Sequence, residues 1–330
     1  MSIPQEPYVD RFKNKIISEK LNTTYTDFFR EASLKRYALH QYQYSYIHKA
    51  STDAIVYFKP MFYNFPDDEK NYEDVEKNIL LGDSVKLSVV VDNKTENNNL
   101  TEKFYFPGDD TKWCPIWPKY NLACYDGKSY QSMEVEYDEM LVYIKSGSII
   151  PLQLTNFTEI GKDNPDYTGY EKKILNTSKD YSIDTLKTYT LDLAVMCDKD
   201  KSAKGWVRFD DGQSKDINLY TEYSFKAEYI TPENEAEKLN ITVTSTKNDF
   251  KQPEGSKNQK LGSVLIYSAK ELGYTDKSTC YIRIDDDKTI ETKPFCYFTD
   301  DNQSSICRFM VKDDEEPDLK DIKDITLTKE

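Results

Sequence analysis

The chain has 330 residues, with 44 Lys+Arg against 58 Asp+Glu and a formal net charge of −14. That balance argues against nucleic acid or an anionic membrane surface as the main partner. No apolar run approaches the roughly 18 residues of a membrane helix. Mean hydropathy is −0.75, but an aromatic content of 13%, with 26 Tyr, opposes disorder.

In chain order, the first fifty residues read as helix. No Gly or Pro occurs from Tyr8 to Lys59, and Leu34, Ala38, Leu39, Tyr42, Tyr46 and Ile47 recur at helical spacing. Ala54 to Phe58, ended by Lys59-Pro60, reads as a short buried strand. From about Ile79 the period changes to two: Val85, Leu87 and Val89, then Met133, Val135 and Tyr137, then Tyr189 to Val195. Ile241 and Val243, Val264 to Tyr267 and Tyr281 to Ile284 continue it. Short strands at this spacing with polar turns predict β-sandwich packing. A polar stretch from about Thr155 to Asp184 has no periodicity and is the expected domain boundary. Asp313 to Glu330 is highly charged and is expected to be a frayed tail.

Chemistry is hard to find by motif. The six cysteines form no CxxC pair, and the only two histidines, His40 and His48, are too few for a Cys/His metal cluster. Gly127-Lys128-Ser129 ends like a phosphate loop, but Leu122 stands where the first glycine belongs, so a turn is expected. Asp285-Asp286-Asp287 lacks the alternating spacing of a calcium loop and reads as an acidic hairpin. The close pairs Cys114/Cys124 and Cys296/Cys307 each span a turn and are candidates for hairpin disulfides, although spacing alone leaves connectivity open. Sequons at Asn22, Asn93, Asn99, Asn156, Asn176, Asn240 and Asn302 are candidate glycosylation sites. With the cysteines they lean toward a secretory compartment, lysosomal or extracellular. The start, MSIPQEPYVD, has no apolar core of a signal peptide, so either the chain is not secreted or its true N-terminus lies elsewhere. Trp113 and Trp117, beside Cys114, either plug a sandwich edge or stack on a sugar ring; their exposure discriminates.

Four stretches, in order, resemble the C-terminal portion of glycoside hydrolase family 31, the α-glucosidase family that includes maltase-glucoamylase. The first is Gln5-Glu6-Pro7, Arg36 to Leu39, then Tyr42 to Ala50 (YQYSYIHKA). The second is Lys59 to Asp68 (KPMFYNFPDD) with Leu80 to Ser84 (LLGDS). The third is Val142 to Pro151 (VYIKSGSIIP), and the fourth Gly205-Trp206 with Phe209 to Ser214 (FDDGQS). The chain departs from the family at Lys59 (for Arg), at Leu87 to Val90 (for VAPV) and at Gln41 (for Pro).

The resemblance implies a mainly β fold: two C-terminal antiparallel β-sandwiches preceded by helices and a strand from the end of a (β/α)8 barrel. It assigns residues 1–78 to the barrel, 79–155 to a proximal sandwich, 156–184 to an irregular linker or insertion and 185–330 to a distal sandwich with a charged tail. A retaining glycosidase needs two carboxylates flanking the scissile bond, and the family's aspartates lie on earlier barrel strands. No residue here matches them, so no catalytic, cofactor or metal residue is assigned, and the chain alone is expected to be inactive. Its expected partner is a catalytic barrel in cis or as a separate chain. The alternative is a stand-alone sandwich protein that binds carbohydrate or protein without catalysis.

Overall fold

A computed structural model describes residues 16–18, 23–91, 95–96, 99–117, 123–135, 141–153, 186–233, 236–252, 256–257, 259–298, 304–312 and 314–329. The elements begin with β1 (Ile16–Ser18), β2 (Thr23–Thr24), α1 (Tyr25–Ala38) and α2 (His40–Asp53). Next come β3 (Phe58–Pro60), β4 (Asn78–Leu81), β5 (Val85–Ser88), β6 (Thr95–Glu96), β7 (Asn99–Phe106) and β8 (Lys112–Pro115). β9 (Tyr125–Asp126), β10 (Ser129–Val135), β11 (Val142–Lys145), β12 (Ser148–Leu152), β13 (Leu191–Met196) and β14 (Ser202–Phe209) follow. The chain continues with β15 (Thr221–Ile230), β16 (Lys238–Asn248), β17 (Leu261–Tyr267) and β18 (Thr279–Arg283). β19 (Thr289–Thr292), β20 (Pro294–Phe298), β21 (Ser305–Met310) and β22 (Asp324–Thr328) close the chain.

The fold is mainly β. A six-stranded sheet, ordered β3-β4-β5-β11-β8-β9, faces a three-stranded sheet, β10-β7-β6. Phe104, Phe106, Trp113, Met133, Val135 and Tyr143 fill the space between them. The eleven-stranded sheet is ordered β19-β18-β22-β16-β15-β14-β12-β13-β17-β21-β20. Ile282 of β18 and Val264 of β17 share one core although they stand near opposite ends of that order. The sheet therefore curls on itself as a sandwich, as large twisted sheets do. A further core lies where the two sandwiches meet, built from Tyr42 and Tyr46 of α2, Val142 and Ile144 of β11, Ile150 and Leu152 of β12, and Tyr267 of β17. The Tyr267 hydroxyl donates to the carbonyl of Ile116 at 2.9 Å, a buried bond across that junction.

Several expectations need correction. Ala54 to Phe58 is not a buried strand: Ala54 is the left-handed C-cap of α2, Val56 and Phe58 are exposed, and β3 begins only at Phe58. Ile47 is 55% exposed, because the buried face of α2 is Gln41, Tyr42, Ser45 and Tyr46. Two polar residues belong to that face because they satisfy backbone groups of β14. The charged end is not frayed: β22 lies between β16 and β18, with Ile325 and Leu327 fully buried. Its two-residue apolar alternation is masked in sequence by the surrounding charges. Phe58 to Pro60 pairs antiparallel with β4. β12 leaves the sheet of β11 and pairs with β13 and β14, so the chain changes sheet at Ser146-Gly147. The expected linker, 156–184, lies outside the described residues.

Candidate functional site

The four signature stretches converge on α2. From the second, Gly82 turns the β4–β5 hairpin with φ +60°, and a Cβ there would stand 2.4 Å from the Tyr42 hydroxyl and 2.7 Å from the Tyr46 ring. Only glycine fits both the backbone and the space. The Tyr42 hydroxyl donates to Leu81 O at 2.8 Å, and the Tyr46 hydroxyl to Asp83 at 3.2 Å. From the third, Val142, Ile144 and Ile150 share one core with both tyrosines. From the fourth, the Trp206 ring lies 4.8 Å from that of Tyr46, beneath the Lys49 ammonium at 4.6 Å.

The seam between α2 and β14 carries the densest polar contacts. Gln41 Nε2 donates to Arg208 O at 2.6 Å, and Arg208 N donates to Ser45 Oγ at 3.0 Å. The helix thereby satisfies backbone groups of the strand that a flat apolar helix face would leave unpaired. The Arg208 guanidinium donates to Glu222 at 2.5 Å and to Thr52 Oγ1 at 2.9 Å, and lies 4.3 Å from the Tyr220 ring centre. Tyr44, His48 and Thr52, spaced by four, all reach this strand end. The Tyr44 hydroxyl donates to Asp210 Oδ1 at 2.6 Å, and His48 Nε2 stands 3.4 Å from Asp210 Oδ2. Gly212 N donates to the same carboxylate at 2.8 Å. Burial, with the adjacent carboxylate, pushes the Tyr44 phenol well above its ordinary value. Beside the seam lies a small open cleft bounded by His40, Tyr44, Gln153, Leu186, Phe209 and Asp210.

At the outer edge, Lys59 Nζ donates to Asp83 at 2.6 Å and Asn64 Nδ2 donates to it at 3.1 Å. Burial raises the Asp83 pKa, but these donors and Tyr46 outweigh it and hold the carboxyl below the usual range. Elsewhere, Lys86 is fully buried: its ammonium donates to Ser88 Oγ and lies 4.4 Å from the Phe106 ring centre.

Trp113 is 0% exposed and donates from Nε1 to Pro107 O at 2.9 Å; Trp117 is 7% exposed. Neither offers an open face to a sugar ring. Cys114 is bonded to Cys124, and Cys296 to Cys307, the latter directly opposed across β20 and β21. Asn240 is half-buried within β16, and Asn99 begins β7. Asn22, Asn93, Asn156, Asn176 and Asn302 lie outside the described residues. Gly127-Lys128-Ser129 connects β9 to β10, and Asp285 accepts from the backbone N–H of Asp287 and Lys288 in a turn. Among the described residues no group of three or more His, Cys, Asp or Glu is placed to hold a metal, and no helix is long and apolar enough to cross a membrane. Sequence reading missed Arg208, whose charge within an alternating strand was the available signal. It also missed Lys86, at an inward position of β5.

A family model for the glycosyl hydrolase family 31 C-terminal domain matches residues 54–150. An α-glucosidase of Schizosaccharomyces pombe is 26% identical over 196 residues, 59% of this chain and 17% of that protein. Neutral α-glucosidase C of Mus musculus is 28% identical over 137 residues, 42% of this chain and 14% of that protein. The fold matches a crystal structure of an ER glucosidase II heterodimer of catalytic subunit and regulatory-subunit binding domain, with TM-score 0.66 and 16% identity, over 99% of this chain and 30% of that one. In sequence over residues 54–150 and in fold along nearly its whole length, the chain is similar to the C-terminal region of glycosyl hydrolase family 31 proteins. The curated relatives it matches are α-glucosidases, and it spans less than a fifth of the length of these two.

Proposed function

We propose that the chain is a non-catalytic module that docks on and stabilises a catalytic (β/α)8 barrel, in the same polypeptide or as a separate chain. One observation carries this reading. Of the ten large apolar side chains exposed among the described residues, six fall between residues 29 and 72: Phe29, Ile47, Val56, Phe58, Tyr63 and Tyr72. These belong to α1, α2, the edge strand β3 and the turns beside them, within the segment that the resemblance assigns to the barrel. Elsewhere exposed apolar side chains are scattered, as on ordinary surfaces, whereas a concentration marks an interface. The short free edge of β3 adds unpaired backbone groups to the same region. Carbohydrate hydrolysis then belongs to the barrel's aspartates, and this chain's contribution is to hold that barrel closed. The two disulfides and the sequons support assembly in the secretory pathway. The residue boundaries near 78, 155 and 185 belong to the same proposal.

The test is the native mass in the source organism, by blotting with an antibody to residues 185–330 before and after N-glycan removal. A deglycosylated band far above 38.6 kDa is expected for a barrel in cis. A band near that mass that co-precipitates a chain with family 31 barrel sequence is expected for a barrel in trans. A monomer of that mass with no such companion overturns the reading.

A further inference from the structure

We propose that the seam between α2 and β14 is acid-sensitive, with His40 and His48 as the groups whose protonation opens it while the rest of the two sandwiches holds. These are the chain's only histidines, and both stand on α2, eight residues apart. The Tyr44 ring lies between them, 6.1 Å from His40 and 6.4 Å from His48.

His48 is half-buried in this seam. Nδ1 lies 3.3 Å from Arg208 Nη1, Nε2 3.4 Å from Asp210 Oδ2, and the Tyr220 ring 5.0 Å away, edge-on. A guanidinium only donates, so Nδ1 must accept and Nε2 must carry the proton. This neutral tautomer satisfies both neighbours. A second proton, on Nδ1, sets N–H against N–H and places two cations about 3.3 Å apart. Asp210 offsets this only in part: Tyr44 and Gly212 both donate to its Oδ1, and its Oδ2 already faces the protonated Nε2, not the Nδ1 that gains the second proton. Asp53 and Glu222 face the same guanidinium, Lys49 forms a pair with Asp53, and Lys247 caps the far face of Tyr220 at 3.9 Å. His40 sits one turn from Arg36 and lines the cleft with Lys187 and Asp210. Burial first, then the neighbouring guanidinium, lowers its affinity for a proton. For His48 burial is again the largest influence, and with Arg208 it outweighs the pull of Asp210, of the Ile217 backbone and of Asp53.

The sign follows from linkage. The open seam binds protons near the ordinary histidine value of about 6.5, and the closed seam resists them, so stability present above that pH is lost below it. Each histidine then raises the opening constant by up to about tenfold per pH unit within its window.

The test uses the whole chain and is independent of any barrel. Hydrogen exchange of peptides covering α2 and β14 is measured at about pH 7.5 and about pH 5.5 and corrected for intrinsic exchange chemistry. Opening is expected to rise at the lower pH, by up to about tenfold for each histidine, with peptides from β17 and β21 unchanged. In His40→Gln and His48→Gln chains the rise is expected to shrink. As a measurement that needs no variant, the two imidazole proton resonances are expected to titrate below about 6.5. A seam with no pH dependence, a rise spread evenly over all peptides, or imidazoles titrating at or above that value overturns the proposal.

Discussion

The Tyr44 hydroxyl and the Asp210 carboxylate meet at 2.6 Å across 166 residues of sequence. This one bond joins the helix that the resemblance assigns to the barrel to the strand end of the distal sandwich. Asp210 also accepts from Gly212 and faces His48. Asp210→Ala leaves these donors without a carboxylate and is expected to cost about 2–3 kcal/mol, while Tyr44→Phe costs about 1 kcal/mol. Urea unfolding of the whole chain, with both transitions at unchanged m-value, checks the pair.

Gly205 is the most confined glycine of the signature stretches: a Cβ there would lie 1.9 Å from the carbonyl oxygen of Ile149. Gly205→Ala must push β14 away from β12, at an expected cost of about 3 kcal/mol or more. Gly212→Ala, where nothing lies within 4 Å, isolates the strain of its positive φ and should cost about 1 kcal/mol. Thermal midpoints in that order are the expected result; equal midpoints would contradict it.

Lys86 is predicted to make the proximal sandwich more stable in alkali. Burial holds its pKa well below 10.5, so the stability associated with its neutral form is complete above that value and is lost as pH falls through the lowered one. Lys86→Met keeps the length of the side chain and removes the charge. It is expected to be more stable than the parent near neutral pH, by about 1–3 kcal/mol, with a flatter profile between neutral pH and about pH 10. A variant that loses stability at neutral pH would show that the ammonium's ring and hydroxyl contacts outweigh its desolvation.

The two disulfides close short loops, with sequence separations of 10 and 11. Chain entropy assigns each about 3 kcal/mol. Reduction is expected to lower the melting temperature, and Cys114→Ser with Cys124→Ser to reproduce about half of that loss. Cys280 is buried and Cys197 half-buried, and burial pushes the Cys197 thiol up to about 12. Both are expected to resist alkylation in the folded chain.

Phe58 is 60% exposed on the edge strand and Ile47 is 55% exposed on α2. Phe58→Glu and Ile47→Glu remove apolar surface that the folded chain itself does not bury. Their unfolding is expected to match the parent within about 0.5 kcal/mol, while capture of a barrel partner, or recovery of soluble full-length protein, falls about tenfold or more. Capture unaffected by either change would move the docking face elsewhere.

Much of the fold was legible because alternation at period two survives in Val85 to Val89 and Leu191 to Val195, and because the four signature stretches keep their order. The tail misled because Ile325 and Leu327 are only two apolar positions among charges, and a strand in the middle of a sheet needs few. Ile47 misled because helical spacing ranks faces by hydropathy, whereas α2 turns Gln41 and Ser45 inward to meet β14. Trp113 and Trp117 could be read either way until their burial was seen. The convergence on α2 was not legible at all, since no local pattern says that residue 82, residue 150 and residue 206 share a neighbour.

The Arg208 to Asp210 end of β14 is made roughly 160 residues after α2. At synthesis rates of about 5–20 residues per second, the helix waits about 8–32 seconds for the strand that completes its seat. During that interval Tyr42 and Tyr46 have no finished core to enter, and the waiting time is set by translation rather than by the helix itself. Slow stretches of message between the two segments therefore lengthen the period in which this chain depends on chaperones.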